Sequence, residues 1–168
     1  MAAGFLGAIK LAVNGVYKGV NDLGTPSISL AELAAIDLVE GTASGAADLV
    51  FADERTLAAS ATENLDLAGG LTDPFGVTLT FAKVKAIIII ANAANSNDVV
   101  AGAGTNPFTG PLGGTTPTVS VKPGGFYAIG HPGAGWTVTA ATADILKVAN
   151  GSSGTSVTYR IIIIGTSA

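Results

Sequence analysis

The sequence predicts an all-β chain, a jelly-roll-like β-sandwich with an N-terminal arm or small appendage. Three observations predict it. Two runs of four isoleucines, Ile87–Ile90 and Ile161–Ile164, place β-branched residues at successive positions, and such side chains favour strands. From Ala47 onward, turns rich in Gly and Pro recur about every ten residues between short apolar runs, the punctuation of a sandwich or barrel. Charge is scarce, at 12% of residues, while the chain carries 23 glycines and 7 prolines, so turns are plentiful and the surface is bland. The Ile and Val content and the low charge exclude a disordered chain. The length of 168 residues suits one domain.

Residues 1–46 read as an arm or docking segment. Met1–Ile9 is apolar, but no basic residue precedes Lys10, an order that does not fit a secretory signal. No apolar run approaches the ~20 residues of a membrane helix, so no membrane partner is expected. Asn14-Gly15, between Leu11–Val13 and Val16–Tyr17, predicts a hairpin turn. Leu30–Val39 has near-helical apolar spacing, with Ser29 and Glu32 in a capping-box pattern and Gly41 as a stop; the stretch reads as a short helix or as irregular chain.

Residues 47–168 read as the sandwich. The expected strands are Asp48–Ala52, Arg55–Ala59, Glu63–Leu67, Val77–Ala91, Asp98–Ala101, Thr118–Val121, Phe126–Gly130, Trp136–Ala140, Ile145–Val148 and Ser156–Gly165. Asp53-Glu54-Arg55 reads as a solvated turn, and Ala68-Gly69-Gly70 as another. Eight or so strands in about 120 residues fit a jelly roll.

Within Val77–Ala91, Thr78 and Thr80 alternate with Val77, Leu79 and Phe81, but Lys83 and Lys85 then fall on the apolar parity. A bulge near Ala82 would reset the faces. In the last strand Thr158 and Arg160 share a face with Ile162 and Ile164. Each strand therefore runs from a solvated region into a covered one. Because successive residues of a strand point to opposite faces, an isoleucine tetrad needs cover on both. A second sheet, the N-terminal segment or a neighbouring subunit would supply it, and the two tetrads should lie in neighbouring strands or adjacent sheets.

Little here resembles catalytic machinery. The single histidine, His131, sits in Gly130-His131-Pro132-Gly133 with no G-x-S-x-G elsewhere, which reads as a loop histidine. One histidine and no cysteine exclude disulfides and leave zinc without a ligand set. Glu63 and Asp66 could meet a carbohydrate or a divalent ion, but the Asp-x-Asp-x-Asp-Gly calcium pattern is absent. Gly102-Ala103-Gly104 lacks the third glycine and the helix of a dinucleotide loop. Asn150-Gly151-Ser152 fits a glycosylation acceptor and, more simply, a turn. Net charge of -4 and scattered lysines argue against nucleic acid. No catalytic residue, cofactor or metal is expected, and the chain is not read as an enzyme. Trp136, at a strand start, reads as a core or subunit-contact anchor. Phe108, in the long Gly102–Pro117 loop, reads as the better candidate for outside contact.

The runs Ala59–Leu67 (ASATENLDL) and Leu79–Ile87 (LTFAKVKAI), the turn Val121-Lys122-Pro123-Gly124-Gly125 and the ending Ile162-Ile163-Ile164-Gly165-Thr166 resemble small virion structural proteins of tailed bacteriophages. The resemblance covers about two-thirds of the chain, Ala52–Ala168. It implies a β-sandwich or jelly-roll module without enzyme activity or cofactor. Such a module binds the major capsid protein as a decoration (cement) protein, often as a homotrimer, or sits in tails and fibres. The expected location is the virion capsid surface, after assembly in the host cytoplasm. The candidate oligomer or capsid contacts are Phe5, Tyr17, Ile88, Ile90, Phe108, Trp136, Ile162 and Ile164. A tail, baseplate or fibre component meeting a host receptor is the alternative, and a carbohydrate-binding module a third.

Overall fold

The computed structural model describes residues 5–168, so the first four residues of the apolar Met1–Ile9 stretch lie outside the described residues. Among the described residues there is no helix; the protein is all-β and forms a sandwich.

The N-terminal segment is a long two-stranded ribbon, β1 (Gly7–Lys18) paired antiparallel with β2 (Ser27–Glu40). This corrects two expectations. Asn14-Gly15 is not a turn: Asn14 pairs with Ala31 and Gly15 with Leu30 inside an unbroken twelve-pair register. The reversal lies at Asn21–Gly24, where the Asn21 side chain accepts a bond from the Leu23 N–H at 2.9 Å and Gly24 takes φ 143°, the Asx-turn chemistry that competes with any local Asn-Gly preference. Leu30–Val39 is strand, not helix or irregular chain. Cross-strand pairing with β1 overrides its weak helical spacing, and Ser29 and Glu32 cap nothing. The short β3 (Ala46–Ala47) pairs in parallel with the end of β2.

The body starts at β4 (Leu49–Leu57), one continuous strand where two strands and a turn were expected. Asp53, Glu54 and Arg55 lie within it, held by pairing with Ile161, Arg160 and Tyr159. Then follow β5 (Thr62–Asp66), β6 (Ala68–Thr72), β7 (Thr78–Thr80), β8 (Lys83–Ala91), β9 (Val99–Gly102), β10 (Thr118–Val121), β11 (Phe126–Gly130), β12 (Trp136–Thr137), β13 (Ile145–Asn150) and β14 (Val157–Thr166). One sheet has the order β10-β9-β13-β5; the facing one has β11-β8-β14-β4, with β12 beside β8. The Ala68-Gly69-Gly70 segment, expected as a turn, opens β6, which pairs with β7 across a register shift.

The isoleucine tetrads are direct neighbours in the second sheet: Ile161 pairs with Ile89, Ile162 with Ile88 and Ile163 with Ile87. Ile87, Ile89, Ile161 and Ile163 point inward and join Phe51, Leu65, Phe81, Val99, Val148 and Tyr159 in the main core. Opposite parity points outward. There burial rises along β14 from exposed Arg160 through half-buried Ile162 to buried Ile164, the gradient the sequence predicts.

The expected single strand Val77–Ala91 is two. It breaks at Phe81 and Ala82, and β7 and β8 join different sheets. Ala82 donates to Thr166 O and accepts from Val138 N, so both its backbone groups are used outside a ladder. A bulge follows, at Lys85: Ile164 pairs with Ala86 and Gly165 with Val84, leaving Lys85 as the extra residue. The strands close so tightly there that a Cβ on Gly165 would lie 2.2 Å from the Lys83 carbonyl oxygen.

Two faces with different cover make a direct prediction. Ile163→Ala, at 0% exposure, should cost about 2–5 kcal/mol in urea denaturation. Ile90→Thr, on the half-buried outer face, should cost about 1 kcal/mol or less. Equal losses would contradict the assignment of inner and outer faces.

Candidate docking surface

In the ribbon, residues directly opposite each other share a face. One face carries Ile9/Ile36, Leu11/Ala34, Val13/Glu32, Gly15/Leu30 and Tyr17/Ile28; the other carries Ala8/Asp37, Lys10/Ala35, Ala12/Leu33, Asn14/Ala31, Val16/Ser29 and Lys18/Ser27, a more polar set in which Leu33 and Val16 are the large apolar residues. The first face is apolar along its whole length, with Glu32 its one charge. Its foot is seated on the outer side of the five-stranded sheet. Leu38, Ala47, Ala86 and Ile164 form a second buried cluster, with Phe5, Ile9, Ile36, Val50 and Ile162 packed against it. Ile36 lies directly over Gly130, where a Cβ would meet its Cδ1 at 2.5 Å. The seat is fastened by the loop after β11, where Gly45 donates to Pro132 O at 2.8 Å.

Beyond that foot nothing covers the ribbon. Every residue from Lys10 to Ala35 is exposed except half-buried Gly19. Leu11, Val13, Tyr17, Ile28, Leu30 and Leu33 all show about half or more of their surface, and the tip residues Val20 and Leu23 reach 91% and 98%. At about 3.4 Å per residue the free part of β1, Lys10 to Lys18, extends about 27 Å. An isolated two-stranded ribbon is marginally stable in water, and a contiguous exposed apolar face is a candidate for interaction.

The outer sheet face continues past the foot as well. The row Ala128–Ile88–Ile162–Ala52 and the row Phe126–Ile90–Arg160–Glu54 lie side by side there. Ile88, Ile90 and Ile162 are half-buried, Phe126 is 63% exposed and Arg160 is exposed. An open cleft of about 310 Å³ is lined in part by Glu54, Ile90, Gly124 and Arg160.

The expected contact residues divide accordingly. Tyr17, Ile88, Ile90 and Ile162 lie on these surfaces. Phe5 is half-buried in the ribbon's foot, and Trp136 packs on the main core with its ring edge-on to His131 at 6.1 Å. Two expectations are corrected. Ile164 is 3% exposed because the chain's own Leu38 and Ala47 cover it. Phe108 is 2% exposed, drawn into the core as its N–H bonds Ile145 O at 2.8 Å. Sequence reading missed Leu11, Val13, Ile28 and Leu30. Their signal was the even-position series Ile28, Leu30, Ala34, Ile36, Leu38, which Glu32 interrupts and the alanines between it obscure.

The polar groups that resemble chemistry are committed to structure. Glu63 on β5 accepts from the Arg55 Nε–H at 2.6 Å and from the Tyr159 hydroxyl at 2.5 Å, and Arg55 also reaches Asp53 at 2.8 Å. This group clamps the edge where the two sheets meet. Its carboxylate holds the Arg55 guanidinium above its ordinary value, and burial with the same bond pushes the Tyr159 phenol up. Asp66 accepts from the Ala68 N–H at 2.8 Å. Asn150, in the glycosylation-like tripeptide, is buried and donates to Ala58 O and Thr155 O. His131 accepts a long bond from Gly135 N–H at 3.3 Å. Lys85, the bulge residue, is 1% exposed and donates to Gly133 O; burial, aided by neighbouring Lys83, lowers its ammonium below the ordinary lysine value. Among the described residues no group of three or more His, Asp or Glu side chains could hold a metal ion, and no helix is long and apolar enough to cross a membrane.

No protein-family model, curated protein or solved structure matches the chain.

Glu63→Ala should cost about 1–3 kcal/mol, because it orphans the buried Tyr159 hydroxyl; urea denaturation reads this, and an unchanged midpoint would remove the clamp. Lys85 supplies a pH test. In the window between its lowered folded value and ~10.4, the unfolded chain holds a proton that the folded chain has released, so stability rises with pH. The stability of the wild type relative to Lys85→Met should therefore increase from neutral pH to pH ~10.5. A difference that stays flat would mean that the ammonium is not desolvated.

Proposed function

We propose that this chain is a structural protein of a tailed-bacteriophage virion, a decoration (cement) protein that binds the major capsid protein and stabilises the shell as a homotrimer. The observation that carries the reading is the ribbon. It offers a long apolar face and a tip with Val20 and Leu23 almost fully exposed, more than a self-sufficient monomer presents. A chain of this kind is completed by protein neighbours.

Three further observations support it. Numbering the eight principal sandwich strands in chain order, one sheet runs 1-8-3-6 and the other 2-7-4-5. That winding supports a jelly roll, an architecture common in viral shells, although fold alone never assigns function. Glu63 and Asp66, the carboxylates read as candidates to meet a carbohydrate or a divalent ion, are engaged in internal bonds. Low charge and much Ala, Gly and Thr make the surface cheap to desolvate, and symmetric repetition multiplies modest contacts. Net charge of -4 favours protein over nucleic-acid partners.

The test is uptake by shells prepared without this chain. Purified protein should occupy regular lattice positions by electron microscopy and raise the shell's melting temperature. Val20→Lys with Leu23→Lys should weaken uptake at least tenfold while the sandwich melts as before, since both residues are exposed. Shells that take up no protein would end the decoration reading, and binding to host cells in their place would move the chain to the tail or fibre.

A further inference from the structure

The ribbon and the sheet it leaves behind are two unfinished halves of one interface. The ribbon's apolar face is seated at its foot on the outer side of the five-stranded sheet, through Leu38, Ile36 and Ile9 on Ile164 and Ala86. The same ribbon face then continues, uncovered, through Leu11, Val13 and Leu30 to Tyr17 and Ile28. The same sheet face also continues, uncovered, through Ile88, Ile162, Ile90 and Phe126. Each surface is chemically what the other already accepts. They do not meet within one chain, because the ribbon departs over Gly130, on the outermost strand β11, and is exposed from there outward.

We propose that the free shaft of the ribbon seats on the outer face of the five-stranded sheet of a second copy of this chain, continuing in trans the packing that its foot makes in cis. Every copy then gives one ribbon and receives one, and such head-to-tail contacts close into a ring when the rotation between copies allows.

Charge selects the register. Glu32 is the one charge on the ribbon's apolar face. Arg160 stands exposed on the receiving face and, among the described residues, has no ion-pair partner within 4.0 Å, although Glu54 is beside it in the register. A Glu32–Arg160 contact between copies gives both a partner. It also sets Val13, opposite Glu32 in the ribbon, against Ile90, opposite Arg160 in the sheet, at the rim of the open cleft. Burial of the surrounding isoleucines strengthens such a pair by excluding water.

The proposal does not rest on the virion reading, and its test uses the full chain alone. In sedimentation, the wild type should associate at micromolar concentration. Glu32→Arg and Arg160→Glu, both at exposed positions, should each weaken association at least tenfold with unchanged melting, and the double exchange should recover most of the loss. Because the chain has no cysteine, cross-linking is unambiguous. A Val13→Cys chain mixed with an Ile90→Cys chain should form a disulfide heterodimer under mild oxidation faster than either forms a homodimer. A wild type that stays monomeric overturns the proposal even if shells take it up, as does a Val13→Cys homodimer forming fastest, which would indicate ribbon against ribbon. Self-association by chains that no shell accepts would leave the proposal standing and end the decoration reading.

Discussion

Four successive isoleucines in a strand demand cover on both faces, and here two such strands lie side by side. Pairing of Ile161–Ile163 with Ile89–Ile87 makes a slab of β-branched side chains at the centre of one sheet. Its inner side is satisfied by the facing sheet, with Leu65, Val99 and Val148 filling the space. Its outer side needs something else, and the chain brings its N-terminal segment back to supply part of it. The ribbon's foot over Ile164 and Ala86 is thus a consequence of the tetrads. Burial of apolar surface is the dominant favourable term in such a chain, and with no cysteine it has no covalent staple to add.

Polar groups were placed to serve this packing. The Glu63 carboxylate ties Arg55 and Tyr159 on one sheet to β5 on the other, so the sandwich is pinned at its β4/β5 edge. Lys85 is the residue squeezed out where β8 and β14 change register. Its ammonium holds Gly133 O in the same loop whose Pro132 O fastens Gly45 at the root of the ribbon. The bulge, the loop and the seating of the ribbon form one connected device.

Much of the body was legible in the sequence, because Gly/Pro punctuation and β-branched runs are local signals. Thr118–Val121 and Phe126–Gly130 emerge with the expected bounds, and the slip of parity after Phe81 marks a real change of sheet. The misreadings share a cause. Leu30–Val39 became strand, and Asn14-Gly15 became mid-strand, because a partner strand some twenty residues away outweighed local preference. Asp53–Arg55 looks like a turn only until β14 pairs with it. Phe108 looked available because loop composition says nothing of which side chain turns inward. The candidate docking surface was the least legible part: exposure of an apolar strand depends on what is missing around it, which no periodicity reports.

The central place of β14 also sets the order of events in folding. It lies between β4 and β8, and the hydroxyls of Thr56 and Thr158 meet at 3.0 Å across 102 positions of chain. Until β14 has left the ribosome, β4 and β8 have no strand to bridge them, and the Ile87–Ile90 run waits without its neighbour. Closure of so long a loop is entropically costly and slow. While β14 is unpaired, the Ile87–Ile90 run lacks its β14 neighbour and the apolar face of the ribbon is uncovered beyond its foot. Lys83 and Lys85, set immediately before the Ile87–Ile90 run, place charge beside it at that stage, and charge on an open strand opposes pairing with other chains.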